Sequence, residues 1–300
     1  FGGECNRLQL CIDIFCCPPK YTDAASLSTL SSCSGGQFYF FPGFFAKRDG
    51  GKLNQEVRRN LTRETGWEAV MRVRMGRGMR CTAFHGHFMI RSNDLMALPT
   101  VDPDKAMLVD IGYEDQVVAS QMMYMQCALL YTTSSGERRI RVHTLALPVV
   151  SDVGELFKAC DGCTTAAVLA KLAAEKIRST TVKETIQILN KKTTDILKEY
   201  RLLYSTHLHP HNKLILPESM RLLPLLMLGL QKSGLLKSPG EVTTDERSNV
   251  VYQMISMPFS STMKVLYPRC YPLLPVEQPA SEGGSVLPAT LQLASSSIKD

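Results

Sequence analysis

The sequence has 300 residues, 34 basic and 28 acidic side chains for a formal charge of +6, and 44% hydrophobic against 21% charged residues. These proportions belong to a chain with a real core, which excludes wholesale disorder, and the length suggests about two domains at roughly 150 residues each. The longest apolar stretch, Leu222 to Leu230, is less than half of the ~20 residues a membrane-spanning helix needs, and the mild positive excess favours an anionic partner without diagnosing one.

No charged region followed by an apolar one succeeds Phe1, so no signal peptide is visible. The first residues read as core strand, and the chain is therefore expected to begin inside a domain, as a fragment. Arg7 to Cys17 alternates and then runs apolar, a strand ended by Pro18 and Pro19. Asp23 to Ser34 has helical spacing, with Thr22 or Asp23 as N-cap and Gly35-Gly36 as the stop. Gln37 to Phe41 is a strand closed by Pro42-Gly43, and Lys52 to Glu64 returns to helix. Strand, helix, strand, helix is α/β grammar.

At Trp67 the period becomes two: Met71, Val73 and Met75 alternate with Arg72 and Arg74. Further strands are expected at Cys81–Ile90, Ala106–Ile111, Met122–Thr133 and Arg138–Val149, making five in a β-sandwich or barrel, with Gly76-Arg77-Gly78 as a hairpin turn. After Pro148 the period is 3.6, predicting helices at Val153–Phe157, Ala166–Arg178, Val182–Tyr204, Pro217–Ser233 and Asp245–Met257, with Pro217 in a first turn. From Tyr267 the chain turns to Pro, Ser and Gly, which is linker composition.

The ten cysteines are scattered over predicted elements, and the sole CxxC, Cys160–Cys163, lacks the second ligand pair that a structural zinc site wants. Neither metal, cofactor nor disulfide is expected, and dispersed thiols suit a reducing compartment. No G-x-S-x-G, P-loop or H-E-x-x-H occurs. His85 and His87 would share a strand face, a two-histidine pair better explained by ordinary hydrogen bonds. His207, His209 and His211 read as a solvated loop, and Trp67 as a core anchor. Catalysis has little support.

The informative signal is electrostatic. From Met71 to Asn93 there are five arginines (Arg72, Arg74, Arg77, Arg80, Arg91) and no acid, and Arg138, Arg139 and Arg141 form a second cluster offset only by Glu137. Arginine's planar fork matches carboxylate and phosphate, although strand arginines also serve simply to protect a sheet edge. The positions between the first arginines hold Met and Val rather than base-stacking aromatics, which disfavours nucleic acid. Lys171 to Arg201 carries eight basic and four acidic residues, a basic face suited either to solvent or to an anionic bilayer.

Several strings occur in a fixed order: Asp23-Ala24-Ala25-Ser26-Leu27, Gly35-Gly36-Gln37-Phe38-Tyr39, Trp67-Glu68-Ala69-Val70-Met71-Arg72-Val73-Arg74, Phe84-His85-Gly86-His87-Phe88, Ala128-Leu129-Leu130-Tyr131-Thr132, Glu137 to Leu145, Leu216-Pro217-Glu218-Ser219-Met220, Thr244-Asp245-Glu246-Arg247 and Leu266-Tyr267-Pro268. Together they resemble the cargo-adaptor subunit of the inner COPII vesicle coat, particularly its plant-like members. The resemblance implies a multidomain α+β chain: the C-terminal part of an α/β, von Willebrand A-like trunk domain over residues 1–65, a β-sandwich over 66–150, an all-helical domain over 151–266, and over 267–300 a linker with the start of a gelsolin-like domain near Leu287-Pro288. The family's zinc finger and the first half of its trunk have no counterpart here.

The resemblance further implies a non-enzymatic adaptor that binds sorting signals for endoplasmic reticulum to Golgi transport. It implies a place in the cytosol, peripheral on endoplasmic reticulum exit sites and COPII vesicles. The implied partners are the coat's GTPase-activating subunit, a Sar-type small GTPase, cytoplasmic tails of membrane cargo and the anionic membrane surface, with no nucleic acid. By motif alignment the signal site falls on Arg72 and Leu130: Arg72 pairs with a signal carboxylate, Leu130 offers apolar surface, and Arg74 adds potential. The alternatives are the paralogous GTPase-activating subunit, which would have to supply an arginine finger, and a nucleic-acid-binding β-barrel.

Overall fold

In the computed structural model, which describes residues 1–92, 94–114, 121–204 and 216–267, the chain opens on helix rather than strand. Helix α1 spans Gly2–Arg7, and the strand expected from Arg7 shrinks to β1, Ile14–Cys16. The cause is local. Gln9 takes a φ of 57°, which turns the chain, and the Ile12 N–H is donated to Ser34 Oγ at 3.0 Å instead of to a strand neighbour.

Helix α2, Ala24–Ser34, has the predicted ends: Asp23 accepts from the Ser26 N–H at 3.3 Å, and Gly35 closes it in the left-handed conformation at φ 69°. Gly36 has a stricter role, because a Cβ there would lie 2.0 Å from the Ile12 carbonyl oxygen. Strand β2, Phe38–Phe40, pairs in parallel with β1. Helix α3, Ala46–Thr62, starts six residues before the expected Lys52 and runs through Gly50-Gly51, because the Asp49 carboxylate accepts the Phe45 N–H at 2.8 Å.

The sandwich region contains seven strands among the described residues: β3 Gly66–Met75, β4 Met79–His85, β5 Met89–Ser92, β6 Leu95–Val101, β7 Leu108–Tyr113, β8 Met122–Thr132 and β9 Arg138–Pro148. They form an antiparallel sheet in the order β5-β6-β3-β8-β9 and a separate β4-β7 pair. The expected Cys81–Ile90 strand is therefore two strands lying in different sheets. The glycine turn after β3 is a corner between sheets and not a hairpin, since β4 pairs with β7.

Strand β6 was not expected, because Pro99 cannot donate to a ladder. It is nonetheless buried throughout its centre, and Pro99 falls opposite Glu68, where a bulge interrupts the β3 ladder to β8. Its C-terminal end enters a buried ion cluster: Asp102 lies 3.2 Å from Arg63 and 2.9 Å from Lys105, with the Asp102 side chain 1% exposed. Arg63 and Arg59 also reach Asp104, which anchors the end of α3 to the sandwich.

The third region is helical: α4 Val153–Ala159, α5 Gly162–Lys176, α6 Val182–Tyr204, a 3-10 turn at Glu218–Met220, α7 Leu223–Lys232, α8 Thr244–Ser256 and α9 Phe259–Leu266. Pro217 caps the short turn, and the α-helix proper begins at Leu223 with Pro224 in its first turn. Leu223, Leu226, Leu230, Leu235 and Leu266 are fully buried in one core. Lys171 is not part of a solvated basic face. It is buried, and its Nζ donates to the carbonyls of Met254, Ile255 and Met257 at 2.7–3.1 Å, capping the end of α8. Burial lowers its ammonium to about 8. The His207, His209 and His211 cluster and residues 268–300, with Leu287-Pro288, lie outside the described residues.

Candidate functional site

Opposed residues of an antiparallel ladder share a face. The pairs Val70–Leu130, Arg72–Ala128 and Arg74–Gln126 therefore set Arg72, Arg74 and Leu130 on one side of the five-stranded sheet. Arg72 and Leu130 are diagonal neighbours, at a backbone separation of about 7–8 Å. The opposite side carries Met71, Leu129 and Tyr131 against Ala69 and Leu98, so the arginine side is the outer one. The period-two alternation seen in the sequence is what delivers this sorting.

The same face continues onto β9 through the pairs Leu130–Ile140 and Ala128–Val142. Ile140 is 71% and Val142 51% exposed, so Leu130 borders a strip of open aliphatic surface. Nothing in the sequence pattern singled out these two residues, because their exposure follows from the edge position of β9.

Asp94 was also missed, one residue past the acid-free stretch. Its carboxylate lies 3.1 Å from Arg72 Nε and 3.9 Å from Arg74 Nε, with Arg72 and Asp94 side chains 36% and 39% exposed. A pair this open is worth about 0–1 kcal/mol, so an incoming carboxylate can replace Asp94 at small cost. Two arginines holding one displaceable carboxylate beside an aliphatic strip can bind an acidic residue flanked by an apolar one.

The remaining arginines do not join them. Arg80 is on β4 in the other sheet, Arg77 is in the corner turn, and Arg91 on β5 donates to the Asn6 carbonyl at 3.4 Å. The second cluster is split by the pleat. Arg138 shares the outer face but is held by Thr132 Oγ1 at 2.7 Å and lies 3.7 Å from Glu68, whereas Arg139 and Arg141 register with Tyr131 and Leu129 on the other side. Trp67 is 45% exposed and is no core anchor.

The two histidines diverge, because β4 ends at His85 and its alternation does not reach His87. His85 faces Asp110 at 3.2 Å and Glu175 at 3.8 Å. His87 is buried, stacked on the Tyr252 ring at 3.9 Å; its Nε2–H donates to the Tyr252 carbonyl at 2.8 Å, so Nδ1 accepts from Ser32 Oγ at 2.9 Å. The Ser32–His87 pair has the look of a nucleophile and its base. Burial, aided by Lys105, Arg178 and Lys171, holds this imidazole down at about 4, so it has little affinity for a serine proton at neutral pH.

Compared with known proteins, residues 1–61 match the Sec23/Sec24 trunk domain, 66–150 the Sec23/Sec24 beta-sandwich domain and 161–264 the Sec23/Sec24 helical domain. The chain is 44% identical over 271 residues to protein transport protein SEC24 A of Arabidopsis thaliana, covering 90% of this chain and 26% of that one. It is 36% identical over 271 residues to Sec24A of Mus musculus, covering 89% and 25%. The crystal structure of the human COPII-coat protein Sec24c superposes with a TM-score of 0.84 at 33% identity, over 93% of this chain and 36% of that one. The chain thus spans about a quarter to a third of the length of these relatives. Three successive domains in the same order and a matching fold place the chain in the Sec23/Sec24 family.

Proposed function

We propose that this chain is the signal-reading part of a COPII coat adaptor in endoplasmic reticulum to Golgi transport, acting by binding and not by catalysis. One observation carries the reading: Arg72, with Arg74, stands diagonal to Leu130 on an outward sheet face that continues into exposed Ile140 and Val142. A signal carboxylate takes the place of Asp94 at the arginines, and the neighbouring Leu or Met side chain lies on Leu130 and the β9 strip. The division into residues 1–65, 66–150, 151–266 and 267–300 belongs to the same proposal.

In this reading the chain works on the cytosolic face of endoplasmic reticulum exit sites. Its partners are the coat's GTPase-activating subunit, a Sar-type GTPase and an anionic membrane. The exposed lysines Lys183, Lys191, Lys192 and Lys198 of α6 suit the last of these.

The test is a fluorescence-anisotropy titration of a labelled Leu-x-x-Leu-Glu peptide into the wild type and Leu130→Trp, both checked for a cooperative melt. Binding between micromolar and sub-millimolar, about −8 to −5 kcal/mol, that the tryptophan abolishes supports the reading. Binding unchanged in the variant removes Leu130 from the site.

A further inference from the structure

A cleft of about 450 Å³ opens where α2, the end of α5 and α8 meet over His87. Its size falls within the ~300–1,000 Å³ of ligand sites. The walls are fixed from both sides. Asp245, beside the start of α8, accepts the N–H groups of Thr22 and Ala24 at 2.8 Å each, and the Tyr252 hydroxyl donates to the Gly36 carbonyl at 2.8 Å, so α8 is tied at both ends of α2. His87 closes the floor through Ser32 and Tyr252.

The chemistry of the lining is one-sided. Its fourteen residues include Arg178 and Arg247 and no carboxylate. Of the acids that adjoin lining residues in the chain, Asp245 is engaged at the start of α2 and Glu246 in the capping box with Thr243. Arg247 is held in place by the carbonyls of Leu235 and Lys237 at 2.8 and 2.9 Å, a fixed positive charge, while Arg178 is exposed and makes no ion pair among the described residues.

The hydroxyls decide what kind of anion fits. Ser28 and Thr29 send their protons to the Ala25 carbonyl, Ser248 to Thr244 and Ser32 to His87, so the cleft sees their lone pairs. Lone pairs accept peptide N–H groups and repel phosphate oxygens. Ile177, Val251 and Ile255 add an aliphatic wall.

We propose that this cleft is a second peptide-binding site, separate from the sandwich face, taking a short extended segment with an Asp or Glu beside an aliphatic residue. The carboxylate meets Arg178 and Arg247, the backbone N–H groups meet the serine and threonine lone pairs, and the aliphatic side chain lies on Val251 and Ile255. The site stands whether or not the sandwich face binds signals.

The probe is a library of acetylated tetrapeptide amides with one fixed Asp or Glu and the other positions randomised, and a matched library with Asn or Gln fixed. Retention on the 300-residue chain is read by mass spectrometry in two backgrounds that disable the sandwich face, Leu130→Trp and Arg72→Glu. At least tenfold preference for the acidic library is expected in both, falling to the amide level on adding Arg178→Glu or Ser248→Trp. These change an exposed charge and fill the cleft, and their melts are compared with the parent's. Absence of the preference in both backgrounds overturns the proposal. So does a preference that survives Ser248→Trp, or one that inorganic phosphate abolishes at matched ionic strength, which would leave only surface charge.

Discussion

The two sides of the five-stranded sheet meet opposite fates. Toward β6, the core of the strand is buried and its end runs into the Arg63–Asp102–Lys105 cluster. Toward β9, all eleven residues are exposed, aliphatic ones included. One sheet thus combines a side anchored to its neighbours with a side left open. The anchored side fixes where the strands lie, and the open side displays what they carry. A binding face needs both, since side chains recognise a partner only when the backbone beneath them does not move.

The largest effect is expected where the anchored side is cut. Asp102→Asn leaves Lys105 buried without its counter-charge and Arg63 with Asp104 alone, and removing one partner of a buried pair costs about 3–5 kcal/mol; the midpoint of urea unfolding should fall accordingly. Next comes acid. His87 is held at about 4 when folded against 6.5 when unfolded, so the unfolded chain takes up the proton first. Stability is complete above pH 6.5 and is lost as pH falls toward 4, by about 3 kcal/mol in total at ~1.36 kcal/mol per pH unit. Urea curves from pH 7.5 to 4.5 should show this slope in the wild type and not in His87→Gln.

The open side should behave in reverse. Ile140→Ser is expected to shift stability by no more than about 0.5 kcal/mol, yet to weaken an acidic-aliphatic peptide several-fold in anisotropy titrations. A stability loss as large as that of Asp102→Asn would mean that β9 is anchored after all. The smallest change is Asp94→Asn, which removes the internal competitor of Arg72 and Arg74 and should tighten the same peptide by about twofold to fivefold, within the ~0–1 kcal/mol of an exposed pair.

How much of this is legible in the sequence depends on whether the signal is local. Helix α2 announces itself because Asp23 and Gly35 act within their own turn. Strand β6 is hidden because Pro99 cannot donate to a ladder, and what holds it is its pairing with β3, some thirty residues earlier in the chain. Lys171 reads as one more surface cation, since only the fold brings to it the carbonyls of Met254, Ile255 and Met257 at the end of α8.

The site divides the same way. Alternation alone sorts Arg72 and Arg74 from Met71 and Val73. Linking them to Leu130, more than fifty residues on, took the family resemblance. Asp94 lies beyond the end of the basic run, and the openness of Ile140 is a property of strand order that no spacing encodes.

The contact between Asp245 and the start of α2 also sets a clock. A ribosome adding roughly 5–20 residues per second makes Asp245 about 10–40 s after Ala24, and until then the Thr22 and Ala24 N–H groups lack their carboxylate. Helix α2 can coil early on its own cap, but its lasting place is assigned by a helix made more than two hundred residues later. The start of α2 is thus finished only after α8 has been made.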